Sequence, residues 1–209
     1  MIETMCDYSR LEVFLHKCRE DIHSEMYDNK QFIDSGIDEI KEFIKFNDKV
    51  LDVGCGHGYA LEKFKELGAV PTGITLNEDD HNKTRFMGHD IRIMDMNFLE
   101  FEDQEFDIVW ARHCLEHTIM PYFVLTEMSR IIKKGGIIYI EVPSPDTCGA
   151  NEEDPNHYSV FGGKMWWVLI NKAGFDVILK HTLQFPNNRR DGGNGLGTDE
   201  YLRFVGRKN

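Results

Sequence analysis

The sequence lacks the features of a membrane or secreted protein. No apolar run is long enough to cross a bilayer as a helix, since the longest are the length of β-strands. Residues 1–7 have neither the basic nor the apolar stretch of a signal peptide. The five cysteines are scattered and form no C-x-x-C pair, which favours reduced thiols over a disulfide framework or a zinc ribbon. We therefore expect a cytoplasmic protein without a membrane partner.

Basic residues are also scarce. The chain has 24 Lys and Arg against 36 Asp and Glu, a formal net charge of −12. A protein that binds a nucleic-acid backbone usually has a basic face, and an anionic membrane attracts the same kind of surface. The basic pairs here are few: Lys133-Lys134, Arg189-Arg190 and Arg207-Lys208. A small-molecule partner is expected and nucleic acid is disfavoured, while nothing in the sequence indicates an oligomeric state.

The chain predicts a short helical lead-in followed by one domain. Residues 1–48 form the lead-in, which we expect to cap the acceptor-binding face, and residues 49–209 form the domain. In the lead-in, either Asp34 or Ser35 is available as the N-cap of a helix. The apolar residues of that helix recur at helical spacing, at Ile37, Ile40 and Ile44.

The domain alternates short apolar runs with amphipathic helices, which predicts an α/β fold with a Rossmann-like, mostly parallel sheet covered by helices on both faces. No helix separates the last two predicted strands, so they should form an antiparallel hairpin at one edge. The seven predicted strands span residues 50–53, 69–75, 91–94, 106–110, 137–142, 175–183 and 199–207.

Local signals set some helix boundaries. Pro121 suits the first turn of a helix, which the sequence predicts to end in Lys133-Lys134-Gly135-Gly136. A later helix contains Trp166 and Trp167, of which one should lie in the core and the other at a surface or pocket rim, because adjacent residues do not share a helical face. The stretch from Pro186 to Thr198, with Arg189 and Arg190, is either a lid for an anionic acceptor or a solvated connection.

A glycine loop, Gly54-Cys55-Gly56-His57-Gly58, links the first strand to its helix. Glycines there allow a sharp turn and let a ligand approach the backbone amides at the start of the helix. The G-x-G-x-G spacing is one residue shorter than the dinucleotide fingerprint. Asp52 lies inside the strand just before the loop, and a buried carboxylate is costly unless it meets a cation or hydrogen-bond donors. An amino group on a ligand would supply one.

These residues carry a resemblance to a known family. The segment VLDVGCGHGY at residues 50–59 resembles the first motif of the class I S-adenosylmethionine-dependent methyltransferases, in particular the small-molecule group. Residues 106–117 are similar to the family's fourth-strand block. The run from Arg130 to Gly136 is similar to its "RxLKPGG" helix end, with Lys134 in place of proline. The resemblance covers the chain from Lys49 onward.

The resemblance implies a methyltransferase that uses S-adenosylmethionine as cofactor and transfers the methyl group to a small molecule, with a hydroxyl oxygen as the expected acceptor. Two alternatives remain: a catalytically silent S-adenosylmethionine-binding module, and a zinc hydrolase that uses His113, Glu116 and His117. The cofactor residues implied by the family's motifs are Asp52, Gly54, Gly56 and Gly58 at the methionine end, Asp95 and Met96 at the adenine, and Arg112 and His113 closing over the cofactor.

The second-strand block departs from the family pattern. The family usually has an acidic residue there for the ribose hydroxyls, whereas this chain has Gly73-Ile74-Thr75-Leu76-Asn77. The threonine is similar to the G-x-T-L block of the cyclopropane-forming branch. Ribose recognition is therefore expected near Thr75 and Leu76, shared among Thr75, Asn77 and Glu78.

The string His113-Cys114-Leu115-Glu116-His117 predicts one helical turn, on which His113, Glu116 and His117 would share a face. This string has three interpretations. Its residues cap a short helix beside the cofactor, or they form a metal site, or they match the H-x-x-E-H motif of inverzincin peptidases. The metal interpretation rests on similarity to the E-x-x-E-H block of small-RNA 2′-O-methyltransferases and ubiquinone-pathway O-methyltransferases. Its ligands would be Glu116, His117 and the later His157, a set that favours zinc, iron or manganese over magnesium. As plain bases, His117 and His157 are the catalytic candidates.

Overall fold

The fold is known from a computed structural model, which describes residues 9–20, 30–187 and 197–209. Three one-turn 3₁₀ helices lie at Lys41–Phe43, Leu115–His117 and Asn151–Glu153. The α-helices are α1 Ser9–Glu20, α2 Lys30–Ile40, α3 Tyr59–Glu66, α4 Glu78–Phe86, α5 Pro121–Ile131 and α6 Gly163–Lys172. The strands are β1 Lys49–Val53, β2 Val70–Thr75, β3 Asp90–Ile93, β4 Phe106–Arg112, β5 Ile132–Pro143, β6 Phe175–Asn187 and β7 Gly197–Lys208.

The seven strands form one sheet in the order β3-β2-β1-β4-β5-β7-β6. Neighbours among the first five strands are parallel, whereas β7 is antiparallel to both β5 and β6. This confirms the predicted α/β fold and the C-terminal hairpin. The hairpin is inserted in reverse order, because β7 lies inside the sheet beside β5 and β6 takes the edge. Among the described helices, none has the length and apolar character that a membrane span requires.

Helix α2 packs on the sheet through a glycine. The rings of Trp110 and Tyr139 stack at a centroid distance of 3.9 Å on the face that α2 covers. Gly36 of α2 lies directly on this pair, since a Cβ there would overlap the Tyr139 hydroxyl and would come within 2.7 Å of Trp110 Cη2. The lead-in helix is thereby seated close to the sheet. A larger core, which includes residues of α5 and α6, contains the fully buried Trp166.

Some predicted boundaries are wrong. Helix α2 begins at Lys30, so Asp34 and Ser35 lie inside the helix and neither caps it. Helix α5 begins at Pro121 as predicted but ends at Ile131 rather than in the Lys133–Gly136 run. Ile132 is already extended and fully buried, and it pairs with Phe106 of β4. Burial of this isoleucine in the sheet outweighs the local signal for a longer helix.

Other local predictions hold. Trp166 is 0% exposed and Trp167 is 46% exposed, which confirms the predicted division between core and surface. Strands β6 and β7 extend farther than predicted, to Asn187 and from Gly197. Arg189 and Arg190, in the middle of the stretch suggested as a lid, lie outside the described residues, whereas its two ends pair as strands, Pro186 with Thr198 and Asn187 with Gly197.

Candidate active site

The glycine loop between β1 and α3 is folded back onto the neighbouring strand. Gly54, Gly56 and Gly58 have φ values of 76°, 47° and 79°, in the left-handed region that favours glycine. A Cβ on Gly58 would lie 2.7 Å from Cγ2 of Thr84, so that side of the loop is closely packed. A Cβ on Gly56 would meet nothing within 4 Å. The loop is therefore packed against Thr84 at Gly58 and open at Gly56, where a ligand could lie against the backbone.

Asp52 is the most unusual group beneath this loop. The residue is 3% exposed, and its Oδ2 has no hydrogen-bond partner among the described residues. Burial raises the pKa of this carboxyl to about 7, although the positive charge of Arg112 partly opposes the shift. An orphaned buried carboxylate is costly. A cationic group on a ligand would remove this cost.

Strand β2 ends without the acidic residue that is usual in the family, and the N-cap of α4 follows directly. The Thr75 hydroxyl oxygen accepts a hydrogen bond from Asn77 N at 3.1 Å, and Asn77 Oδ1 accepts from Asp80 N at 2.9 Å. Leu76 is half-buried between them. The side chains of Thr75 and Asn77 thus shape the start of α4, whereas Glu78 presents an exposed carboxylate just beyond the strand.

Asp95 and Met96 follow β3 at the same sheet edge. Asp95 Oδ1 accepts hydrogen bonds from Asn97 N at 2.8 Å and from Asn97 Nδ2 at 2.7 Å. Asn97 Oδ1 in turn accepts from the Thr118 hydroxyl at 2.7 Å. Met96 is partly buried against the larger core. The turn after β3 is thereby fixed next to the segment that follows β4.

Glu141 of β5 is the centre of a buried ionic network. Arg112 Nε donates to Glu141 Oε1 at 2.7 Å, and the Tyr139 hydroxyl donates to Oε2 at 2.8 Å. Arg203 of β7 donates to Oε2 from Nε at 3.0 Å and from Nη2 at 2.7 Å. Burial raises the pKa of Glu141, but the contact with His113 and the charges of Arg112 and Arg203 outweigh burial and hold that pKa well below its usual range.

The same network anchors α2. Arg203 Nη1 donates to Glu39 Oε1 at 2.7 Å and to Ser35 Oγ at 3.1 Å. At the other end, the Tyr59 hydroxyl at the start of α3 donates to Asp34 Oδ1 at 2.9 Å. Asp34 and Ser35, predicted as caps, therefore fix α2 between the glycine loop and β7. Arg203 was not predicted as a site residue, although a single charge in the otherwise apolar run Leu202–Val205 was a usable signal.

His113 does not share a helical turn with Glu116 and His117, and this prediction is wrong. Its φ is 48°, and the 3₁₀ turn begins only at Leu115. His113 Nδ1 nevertheless lies 3.3 Å from Glu116 Oε1, and Nε2 lies 3.5 Å from Glu141 Oε1. Burial lowers the pKa of His113, but the two carboxylates outweigh burial and raise it. His113 therefore bridges the Glu141 network to Glu116.

Glu116, His117 and His157 come together as the sequence analysis predicted. Their ligand atoms all lie within 4.8 Å of one another. His117 Nδ1 lies 3.0 Å from the Asn156 carbonyl, and His157 Nδ1 lies 2.7 Å from the Asn151 carbonyl. Carbonyls accept hydrogen bonds, so in its neutral form each imidazole carries the proton on Nδ1 and leaves Nε2 as an acceptor. Glu116 is 1% exposed, and its Oε2 has no hydrogen-bond partner among the described residues.

Comparison with known proteins agrees with this geometry. Residues 51–140, from β1 into β5, match the family described as "Methyltransferase domain". Over this segment, which is less than half of its length, the chain is similar to the methyltransferase family. The match spans the glycine loop and the ends of the first four strands, together with Glu116 and His117.

Curated relatives extend the likeness to named enzymes. Ubiquinone biosynthesis O-methyltransferase of Coxiella burnetii is 30% identical over 96 residues. This match covers 43% of this chain and only 41% of the relative, so the similarity spans less than half of either protein. The corresponding enzyme of Thiobacillus denitrificans is 34% identical over 98 residues, 44% of this chain and 42% of the relative.

Solved structures support the fold of the whole domain. A SAM-dependent methyltransferase from Methanosarcina mazei is 16% identical with a TM-score of 0.66, covering 81% of this chain and 96% of that one. The [4+2]-cyclase SpnF is 18% identical with a TM-score of 0.69, covering 85% of this chain and 80% of that one. A cyclase on this fold shows that the fold alone does not determine the reaction.

Proposed function

We propose that this methyltransferase-domain protein transfers a methyl group from S-adenosylmethionine to a hydroxyl oxygen of a small-molecule acceptor. The observation that carries the proposal is the orphaned, buried carboxylate of Asp52 under an open glycine loop. The curated relatives are O-methyltransferases, which supports oxygen as the acceptor atom.

The residues present suit the cofactor. The Asp52 carboxylate would pair with its amino group, and the loop of Gly54, Gly56 and Gly58 would lie against its methionine end. When bound, S-adenosylmethionine supplies an electrophilic methyl group on a sulfonium. Glu78, exposed beyond β2, is the carboxylate that we assign to the ribose hydroxyls. Asp95 and Met96 would border the adenine, and Arg112 and His113 would close the site beside Asp52.

Aromatic side chains support a small organic acceptor. The rings of Phe32, Phe185 and Tyr201 contact one another at centroid distances of 4.5–5.5 Å. The Tyr201 ring also meets the His113 ring at 4.3 Å. These aromatic residues come from α2, β6 and β7, and each is partly exposed. A flat apolar body suits such a wall better than a phosphate backbone does. In this arrangement the lead-in, through α2, caps the acceptor side.

A divalent metal also fits the residues present. Glu116, His117 and His157 offer one carboxylate and two imidazoles, a set that suits zinc, iron or manganese. The orphaned Oε2 of Glu116 and the carbonyl-held Nδ1 atoms are what a ligand set requires. A bound ion would supply Lewis acidity that lowers the pKa of an acceptor hydroxyl.

The two histidines also suit general-base catalysis. Each Nε2 is a proton acceptor in the neutral tautomer that the carbonyl contacts select, and a base of this kind contributes about 10²- to 10⁴-fold to rate. The ring centroids of His117 and His157 lie 4.9 Å apart, so either could receive the hydroxyl proton. A metal titration separates the two roles, because a ligand Nε2 cannot also accept a proton.

The cofactor part of the proposal is tested by calorimetric titration with S-adenosylmethionine and S-adenosylhomocysteine. We expect micromolar binding that Asp52→Asn weakens strongly, so that only residual binding at high ligand concentration is left. Asp176→Asn is the matched control, because Asp176 is exposed on β6 and its loss should leave binding unchanged. Absence of binding by the unaltered protein would contradict the proposal.

The transfer part is tested with radiolabelled S-adenosylmethionine and a panel of phenols, catechols, sugars and carboxylates, with bulk RNA as a separate arm. Label in a hydroxyl-bearing small molecule is the expected result. Cofactor binding without transfer to any acceptor would indicate a silent binding module. Stoichiometric zinc with no cofactor binding would indicate the hydrolase alternative.

A further inference from the structure

The loop after β5 contacts the ring of His157. This loop, residues 144–153, ends in the 3₁₀ turn that contains Asn151, whose carbonyl lies 2.7 Å from His157 Nδ1. Asp146 and Ala150 in the loop have φ values of 59° and 49°. A non-glycine residue in this region costs about 1–2 kcal/mol. The loop therefore needs contacts from outside to hold this shape.

Asp199 of β7 supplies those contacts. Its residue is 4% exposed, and Oδ1 accepts from the Thr147 hydroxyl at 2.7 Å and from Asn151 Nδ2 at 3.3 Å. The same oxygen accepts from Glu200 N at 2.8 Å, which fixes the carboxylate on its own strand. Gly149 lies directly against the carboxylate, and a Cβ there would overlap it. One carboxylate thus joins β7 to both ends of the left-handed turn around Ala150.

We propose that Asp199 is a positioning residue that acts on His157 through Asn151. By holding the Asn151 side chain, Asp199 fixes the Asn151 carbonyl, which keeps the His157 proton on Nδ1 and directs Nε2 toward Glu116 and His117. The proposal deepens the proposed function, because it rests on His157 being a metal ligand or base there. Partners that orient a ligand histidine typically affect metal affinity by about 10- to 100-fold.

His117 provides an internal control. Its Nδ1 is held by the Asn156 carbonyl, and Asn156 N donates to Asp154 Oδ1 at 2.9 Å. These contacts are separate from those that Asp199 makes to Thr147 and Asn151. Loss of Asp199 should therefore release the His157 ring and leave His117 in place.

The first test needs no metal. Long-range ¹H–¹⁵N spectra report the tautomer of each histidine in the unaltered protein at about pH 8, where an ordinary imidazole is neutral. We expect the Nδ1–H form at both His117 and His157. Asp199→Ala should convert His157 to a mixture rich in the Nε2–H form while His117 is unchanged. Thr147→Val should shift His157 in the same direction, and Asp199→Asn, which keeps an acceptor oxygen, should restore most of the Nδ1–H form. An unchanged His157 in Asp199→Ala overturns the proposal.

The second test is calorimetric titration with Zn²⁺ and Mn²⁺. We expect Asp199→Ala to weaken metal binding by about 10- to 100-fold and His157→Ala to weaken it at least as much. Glu200→Gln is the control, because the Glu200 side chain accepts an exposed hydrogen bond from Gln184. Unchanged S-adenosylhomocysteine affinity in every variant shows that the domain is folded.

The outcomes separate the two ideas. Metal binding that His157→Ala destroys and Asp199→Ala leaves intact overturns the role of Asp199 and keeps the metal site. No metal binding by the unaltered protein, with a His157 tautomer that still responds to Asp199→Ala, overturns the metal site and supports the positioning of His157 as a base.

Discussion

Arg203 and Glu141 form an ion pair with no exposed side-chain surface on either partner, and two guanidinium nitrogens contact the same carboxylate oxygen. The two residues lie directly opposite in the register of β5 and β7. Burying two charges is costly, but here Glu141 also receives hydrogen bonds from Arg112 and Tyr139. Because β7 lies next to β5, Arg203 can contact both Glu141 of β5 and Glu39 of α2. The buried ion pair therefore connects the sheet to α2.

Replacing Arg203 tests whether this pair supports the fold. We expect Arg203→Met to reduce the free energy of unfolding by about 3–5 kcal/mol, because Glu39 and Glu141 lose a buried partner. Urea denaturation measures the change. His181→Ala is the control: His181 also contacts Glu39 but is about half exposed, so its loss should cost less than about 1 kcal/mol. Equal effects of the two changes would contradict the importance of burial.

The raised pKa of Asp52 gives the fold a pH dependence. The folded pKa, about 7, lies above the ordinary carboxyl pKa of 3.8, so the folded state holds a proton that the unfolded state releases between these values. This contribution to stability is complete below the unfolded pKa and is lost as the pH rises toward 7. We expect the stability of the unaltered protein, relative to Asp52→Asn, to fall by up to about 4 kcal/mol over that range. Urea denaturation at several pH values measures it, and a pH-independent difference would contradict the shift.

Ligand affinity should respond to the same group in the opposite direction. An ammonium group pairs with the ionised carboxylate, so affinity for S-adenosylhomocysteine should rise as the pH passes through about 7. Calorimetry on the unaltered protein measures this. The residual binding of Asp52→Asn at high ligand concentration should lack the rise, which separates Asp52 from ionisation of the ligand itself.

The regular part of this fold could be predicted from the sequence. Strand-length apolar runs separated by helical stripes predicted the sheet and its final hairpin. This worked because each strand and helix must bury its apolar residues against a neighbouring layer. The glycine loop was readable because positive φ values at Gly54, Gly56 and Gly58 require that residue type. The meeting of Glu116, His117 and His157 was predicted from a resemblance, and the carbonyl contacts that set their tautomers were not.

Contacts between residues far apart in the chain could not be predicted from the sequence. Arg203 contacts Glu141 and Glu39, which are 62 and 164 residues away in the chain. Those contacts follow from the register of β5 with β7, which no local pattern encodes. Asp199 was missed for the same reason, since its partners Thr147 and Asn151 lie 52 and 48 residues away. His113 was misplaced because its backbone is left-handed and its ring lies beside two buried carboxylates, one of them on β5.

Two glycines of the loop should respond differently to the same change. Gly58→Ala places a methyl group against Thr84, whose hydroxyl also donates to the Gly56 carbonyl at 3.0 Å, so we expect a clear loss of stability of about 2–4 kcal/mol. Gly56→Ala meets open space and should cost only about 1–2 kcal/mol for its positive φ. Its methyl group would project where we place the cofactor, so affinity for S-adenosylhomocysteine should fall at least about tenfold, a loss of about 1.4 kcal/mol. Thermal denaturation and calorimetry on the two variants measure both effects. Normal cofactor affinity in Gly56→Ala would show that the ligand does not lie against this part of the loop.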